Sequence, residues 1–249
     1  MNIAIITGAS SGMGMEFARQ IDKQLGKTDE IWLLARRKEP MEELAKTMRI
    51  KARTLVVDIT DEKELQQFAE VLAIGSPKIT MLVNCAGTGW HGEFYEQDDE
   101  EISAMLRLNV MALTRLTKIC LPYMRKGSKI VQFASGAAFV PQAGFAVYAA
   151  SKAYVYSFSR ALRKELKRRC ISVTTVCPGP VDTPFLDQAY GDGDVSHMSK
   201  LKRLTTASAS CVVSKAIEDC KRGKAVSVCG LPMKALYLVT QSVQNLVCA

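Results

Sequence analysis

Two groups of residues in this chain have types and spacings that do chemistry. Tyr148 and Lys152 stand four residues apart, with Ser135 upstream of them. Residues at that spacing share a helix face, so the lysine ammonium lies near the phenol and its charge stabilises the phenolate. This predicts a tyrosine whose pKa is lowered and which exchanges protons near neutral pH. The second group opens the chain: the apolar run Ile3-Ala4-Ile5-Ile6 passes into Thr7-Gly8-Ala9-Ser10-Ser11-Gly12-Met13-Gly14. Glycines after a strand let the backbone turn tightly and approach a pyrophosphate. The free N–H groups and dipole of the following helix then attract its charge. The spacing G-x-x-x-G-x-G differs from the usual dinucleotide fingerprint, and it is not a P-loop because no Gly-Lys-Ser/Thr follows.

Secondary structure must hold these groups in place. Apolar, β-branched runs alternate with amphipathic stretches, the pattern of repeated βαβ units around a parallel sheet. Strands are predicted at 2–7, 30–35, 53–58, 79–84, 129–134, 172–177 and 225–229. Helices are predicted at 12–25, 40–48, 61–73, 99–125, 146–169 and 208–221, with Asp61 and Ser208 in N-cap positions. The chain has 249 residues, 48% of them hydrophobic, with no repeat or low-complexity segment, and reads as a single domain over 1–249. Met1 to Thr7 leads directly from a strand into the glycine loop, so no signal peptide is expected.

Two segments stand apart from this alternation. The irregular stretch 183–206, rich in Gly, Asp, Ser and Lys, follows the sixth strand at the carboxyl end of the sheet, where α/β proteins bind ligands. It is expected to be a substrate lid. The apolar segment 231–249 is short for a membrane span and is interrupted by Lys234, Gln241, Gln244 and Asn245. Leu236, Val239, Val243 and Leu246 recur in it at helical spacing. A helix packed on the domain or on another subunit is expected, with peripheral attachment to a membrane surface as the alternative.

The second strand ends Leu33-Leu34-Ala35-Arg36-Arg37. A dinucleotide site selective for NAD places an acid here for the ribose 2′-hydroxyl, whereas an arginine neutralises a 2′-phosphate. Ala35 removes the acid and Arg36 supplies the cation, which predicts NADP(H), with Arg37 in support. The net charge of +8 is densest over residues 160–169, at the end of a predicted helix, where cations complement the macrodipole. No aromatic residues interleave with those charges, so no nucleic-acid partner is expected. The eight cysteines form no CxxC pair and read as small buried hydrophobes of a reducing cytoplasm. His91 and His197 are the only histidines and stand in no ligand-like spacing with the cysteines, so no metal is expected.

In chain order, Thr7-Gly8-x-x-x-Gly12-x-Gly14, Asp58, Asn84-Cys85-Ala86-Gly87, Asn109, Ser135, Tyr148-x-x-x-Lys152 and Pro178-Gly179-Pro180-Val181-Asp182-Thr183 resemble the short-chain dehydrogenase/reductase family in its single-domain form. The resemblance covers nearly the whole chain. It implies an α/β fold, a doubly wound Rossmann-type three-layer sandwich with a central, mainly seven-stranded parallel sheet. It implies hydride transfer between the nicotinamide C4 and a carbonyl or alcohol carbon, with the hydride chemistry carried by the cofactor. Catalytic roles then fall to Asn109, Ser135, Tyr148 and Lys152. Tyr148 exchanges the proton, Ser135 hydrogen-bonds the same substrate oxygen, Lys152 tunes Tyr148 and holds the nicotinamide ribose, and Asn109 anchors a water that links Lys152 to solvent.

The same resemblance implies a cofactor cradle. Gly8, Ser10, Ser11, Gly12, Met13 and Gly14 would surround the diphosphate, with Arg36 and Arg37 at the 2′-phosphate and Asp58 at the adenine amino group. Asn84, Ala86 and Gly87 would lie along the adenine ribose and support the central strand. Pro178, Gly179, Val181 and Thr183 would border the nicotinamide, Val181 through backbone groups alone. A homodimer or homotetramer is the family's usual assembly.

The substrate is expected to lie against Ala137, Ala138, Phe139, Val140, Gln142, Phe145, the Trp90-His91 segment and the 183–206 loop. That largely apolar wall fits a lipophilic ketone, a 3-oxoacyl chain or a sterol better than a sugar. The alternative to an enzyme is a non-catalytic NADP-binding regulator on the same fold, which would have no need of Asn109, Ser135, Tyr148 and Lys152 together.

Overall fold

The apolar run after Met1 forms β1 (Asn2–Thr7), an interior strand buried from Ile3 to Thr7. Side chains alternate across a strand, so Ile3 and Ile5 enter one core while Ala4 and Ile6 enter the other. In β2 (Glu30–Ala35), Trp32 and Leu34 join the first of these cores and Ile31 and Leu33 the second. A parallel sheet buried on both faces requires helices on both sides. The computed structural model describes residues 1–191 and 205–247.

The elements follow the predicted alternation. After β1 come α1 (Gly12–Asp22), β2, α2 (Lys38–Thr47), β3 (Lys51–Val56), α3 (Glu62–Gly75) and β4 (Lys78–Asn84). Next are α4 (Asp99–Leu106), α5 (Leu113–Cys120), β5 (Met124–Phe133), α6 (Ala146–Leu166) and β6 (Ser172–Val176). The chain continues through β7 (Val181–Asp182), α7 (Pro184–Tyr190), β8 (Ala207–Ser208), α8 (Ala209–Lys221), β9 (Val226–Ser227) and α9 (Leu231–Val247). Seven strands form one parallel sheet in the order β3-β2-β1-β4-β5-β6-β9. Helices α1, α2 and α8 cover one face, through Phe17, Met41 and Val213 among others; α3, α5 and α6 cover the other, through Phe68, Leu116 and Leu162. This is the doubly wound Rossmann-type architecture expected.

Both predicted N-caps accept backbone bonds: Asp61 from Lys63 and Glu64, and Ser208 from Cys211. Other boundaries differ from the sequence reading. β3 starts two residues earlier than predicted, at Lys51, whose ammonium pairs with Glu30 on β2 at 2.6 Å. The helix expected over 99–125 is four consecutive pieces, α4, a π-helical segment Arg107–Ala112, α5 and a 3-10 turn Leu121–Tyr123 that contains Pro122, whose missing N–H ends the α-helical bonding. β5 starts five residues early because the polar Arg125-Lys126-Gly127-Ser128 stretch lies in an irregular part of the β4–β5 ladder, with Gly127 at φ +89°. At the other end of the sheet, β9 holds two residues rather than five.

The expected lid over 183–206 contains the short helix α7, started by Pro184 at a position where proline suits a helix. Its span from 192 to 204 lies outside the described residues. In α9, Met233 and Tyr237 are half-buried on a core cluster, and of the predicted stripe Leu236 is half-buried and Val239 exposed, while the side chains of Val243 and Leu246 lie outside those described. Among the described residues, no helix is long and apolar enough to cross a membrane. Cys120, Cys177 and Cys220 are buried as expected, but Cys170 and Cys211 are exposed.

Candidate active site

The carboxyl ends of β1, β4 and β5, with the segment after β6, surround a cavity of about 500 Å³. A second cavity of about 440 Å³ shares Gly8, Ser11, Ala86 and Gly87 with it and extends to Ser10, Arg36, Arg37 and Asp58. Together they form one cleft across the strand ends on either side of β1 and β4, where the order of the doubly wound sheet reverses.

The glycine loop fits a diphosphate because it leaves backbone exposed where side chains would intrude. Gly8 and Gly12 take positive φ of 68° and 50°. A Cβ on Gly14 would lie 2.3 Å from the Gly8 carbonyl oxygen, so the first turn of α1 rests directly on the loop. Thr7 locks the loop to β4: its hydroxyl accepts from the N–H groups of Cys85 and Ala86 at 3.0 and 3.1 Å. Ser11, Gly12, Met13 and Gly14 line the first cavity, opposite Pro178, Gly179, Val181 and Thr183.

Tyr148, Lys152 and Ser135 meet on the wall of that cavity. Tyr148 and Lys152 come from α6 and Ser135 from the end of β5, where its hydroxyl accepts from the Ala137 N–H at 3.1 Å. The Lys152 ammonium donates to the Phe133 carbonyl at 3.2 Å and lies 5.7 Å from the centre of the Tyr148 ring. Burial lowers the Lys152 pKa to about 8. Burial also pushes Tyr148 up to about 12, and a hydrogen bond from Ser135 offsets only part of this. The expected lowering of the phenol's pKa by Lys152 is therefore corrected: burial raises it, Ser135 is the group that lowers it, and Tyr148 holds its proton at neutral pH.

Asn109 is fully buried in the π-helical segment and lines neither cavity. Its amide nitrogen donates to the Thr88 carbonyl at 2.8 Å and to Ser151 Oγ at 3.0 Å, while its oxygen accepts from the Thr88 N–H at 3.0 Å. It thus clamps the segment after β4 to α6. Gly87 keeps the space beside it open, since a Cβ there would lie 3.1 Å from Lys152 Nζ and 3.2 Å from Asn109 Oδ1.

The remaining predicted positions divide. Arg36 is 76% exposed at the rim, 3.9 Å from Asp58, and Arg37 donates to Ser10 Oγ at 3.3 Å. Asp58 also accepts from the hydroxyl and N–H of Thr60 at 2.6 and 2.9 Å. Asn84 lines neither cavity: its side chain turns into the core and donates to Thr117 and Gln132, both at 2.9 Å, which braces β4 against β5. Of the expected substrate wall, Ala137, Gln142 and Phe145 line the cavity, whereas Ala138, Phe139, Val140, Trp90 and His91 do not. Phe139 is taken up by Tyr156 and Tyr237, and His91 sits behind the wall on Phe145 and Tyr190.

Among the lining residues not named individually from sequence are Phe185 and Gln188, both within the 183–206 segment expected to border the substrate, and Met233. Phe185 lines both cavities and packs on the Tyr148 ring at 5.5 Å between centroids. Gln188 lines the second cavity and donates to the Thr88 hydroxyl, fastening α7 to the segment after β4. Met233 reaches the first cavity from α9. The Thr183-Pro184-Phe185 run, a helix start carrying an aromatic residue, was the available signal for Phe185. Met233 had none, because a methionine at helical spacing reads as core.

Among the described residues lining the first cavity, Lys152 is the only charged side chain. Phe145, Phe185, Leu186, Tyr190 and Leu236 contribute apolar surface to the same cavity.

Comparisons with known proteins agree with this geometry. The chain matches the family described as short chain dehydrogenase over residues 2–192. It is 34% identical to sulfoacetaldehyde reductase 2 of Chromohalobacter salexigens over 214 residues, covering 82% of each chain. It is also 34% identical to 3-ketodihydrosphingosine reductase of Bacteroides thetaiotaomicron over 189 residues, 74% of this chain and 66% of that one. A short-chain dehydrogenase from Sphingobium yanoikuyae, solved in complex with NADPH, superposes with a TM-score of 0.85 at 26% identity, over 100% of this chain and 95% of that one. The site built at the strand ends and these similarities lead to one conclusion: this chain is an oxidoreductase of the short-chain dehydrogenase family.

Proposed function

We propose that the protein is an NADP(H)-dependent reductase that converts a lipophilic ketone to a secondary alcohol. The observation that carries this reading is the meeting of Ser135, Tyr148 and Lys152 on one apolar cavity that adjoins the glycine cradle. When bound, NADPH supplies the hydride. Gly8 and Ser11 to Gly14 would hold its diphosphate. Arg36 and Arg37, at the far rim beside Ser10, would hold the 2′-phosphate.

The chain's own residues manage the proton. At neutral pH the buried Tyr148 is protonated, and it gives its phenolic proton to the substrate oxygen as charge develops there. Ser135 donates a hydrogen bond to the same oxygen. Lys152, still charged below its pKa of about 8, stabilises the phenolate that remains. A tyrosine that keeps its proton suits reduction more directly than oxidation. The proton returns to Tyr148 by way of Lys152, in the space Gly87 leaves beside Asn109.

The lining supports the substrate class. The apolar, aromatic surface suits a long-chain or aryl ketone, and a relative named 3-ketodihydrosphingosine reductase points the same way.

A panel of ketones and polar carbonyl compounds, followed by NADPH absorbance, tests the reading. Apolar ketones should turn over with NADPH in clear preference to NADH. Equal efficiency with both cofactors would remove the NADP assignment, and turnover of polyols without any apolar ketone would remove the substrate class.

A further inference from the structure

We propose that Met233 of α9 sets the size limit on one of the two substituents of the carbonyl substrate, a role that rests on the reaction proposed above. Gly136 follows Ser135, and Gly179 lies in the run after β6 that borders the cavity. The two segments are joined by a hydrogen bond from the Gly136 N–H to the Pro178 carbonyl at 2.7 Å. Met233 lies over this seam. A Cβ on Gly136 would stand 2.2 Å from Met233 Cε, and one on Gly179 would stand 3.0 Å from Met233 Cγ and 3.1 Å from Sδ.

Neither glycine has a positive φ, so the backbone conformation does not demand glycine at either position. What both missing side chains provide is room for the methionine. The thioether chain therefore occupies volume beside Ser135 that a substrate group would otherwise enter. Its helix is anchored next to it, with Tyr237 packed on Phe139 at 5.3 Å.

The same cavity has a second, aromatic part beside Tyr148. There Phe145 and Phe185 flank the Tyr148 ring at 5.6 and 5.5 Å, and Tyr190 extends the aromatic surface from Phe145 at 5.6 Å. A carbonyl whose oxygen sits at Ser135 and Tyr148 directs one substituent toward Met233 and the other toward this wall. The site takes ketones with one short and one large apolar substituent, and Met233 enforces the short one.

Acetophenone and valerophenone, phenyl ketones with a methyl and a butyl substituent, provide the test. Both are measured for kcat/KM with NADPH and, by calorimetry, for binding to the NADP⁺-loaded protein. Met233→Ala should raise the butyl-to-methyl ratio by about tenfold or more in both measurements, the range that a few methylenes in an apolar pocket command. Met233→Phe should lower it.

A shifted binding ratio without turnover of either ketone would keep the role of Met233 and overturn the proposed reaction. Ratios that stay within about twofold of the unmodified protein in both variants would overturn the role of Met233. Failure of all three proteins to bind either ketone would overturn both.

Discussion

The Lys152 ammonium donates to the Phe133 carbonyl oxygen at 3.2 Å, which ties the catalytic face of α6 to the end of β5. That bond fixes the charge 5.7 Å from the centre of the Tyr148 ring, in a setting whose burial lowers the lysine pKa to about 8. Reduction should therefore decline as pH rises through about 8, when Lys152 loses its charge, while Tyr148 remains protonated up to about 12. The pH profile of kcat/KM checks this. A rate constant that stays flat to pH 10 would remove Lys152 as the group responsible.

The same burial bears on stability. Lysine titrates near 10.5 when unfolded and near 8 here, so below pH 8 both states hold the proton and the folded state carries the full cost of the buried charge. Between these values the unfolded chain binds more protons, and this group's contribution to stability rises with pH. The shift corresponds to roughly 3 kcal/mol, against about 1 kcal/mol for the bond to Phe133. Lys152→Met should therefore stabilise the cofactor-free protein by about 2 kcal/mol at pH 7 while abolishing turnover. Urea denaturation at pH 7 and pH 10.5 should show the advantage shrinking at the higher pH.

Tyr148→Phe removes the proposed proton donor and keeps the ring that packs against Phe145 and Phe185. Turnover should fall by at least about 10³-fold, near the middle of the range attributed to general acid catalysis, with NADPH binding still measurable. Retained turnover, read by stopped-flow absorbance, would sink the mechanism.

Arg36 stands at the rim of the second cavity, mostly exposed and only 3.9 Å from Asp58. Loss of a charge-assisted contact to a phosphate costs about 1.5–3 kcal/mol. Arg36→Ala should weaken NADPH binding roughly 10- to 100-fold and leave NADH binding nearly unchanged. Fluorescence titration with both cofactors measures the split.

Gly89 positions Tyr148 by having no side chain, since a Cβ there would lie 2.7 Å from Tyr148 Cδ2 and 2.9 Å from Phe185 Cζ. Gly89→Ala should displace the phenol and lower kcat about 10²-fold, the cost of a displacement near 1 Å at a reacting group. The Kd for NADPH should be preserved, because the diphosphate cradle lies elsewhere. A parallel loss of cofactor affinity would show that the substitution disturbs the whole cleft.

Much of this architecture is legible in the sequence because its causes are local. Alternation of apolar residues in β1 and β2 requires two cores, Asp61 and Ser208 mark helix starts through their own side chains, and the glycine loop needs only its neighbours to turn. The spacing of Tyr148 and Lys152 on one helix is equally local. Boundaries failed where long-range pairing overrode composition, as in β5, which starts at Met124 because that residue pairs with Ile79 of β4 ahead of the polar stretch.

What tertiary structure decided is which way side chains turn and what surrounds them. Asn84 belongs to a motif that resembles a cofactor contact, yet Thr117 and Gln132, distant in sequence, draw its amide into the core. The pKa of Tyr148 moves opposite to the expectation from its lysine neighbour, because desolvation depends on every element that closes over it. Met233 reaches the cavity at Gly136 and Gly179, where two absent side chains leave it space. Local pattern along the chain was enough for the fold class and for the order of the candidate reactive groups. Their charge states and the shape of the pocket arose only when segments remote along the chain were packed against them.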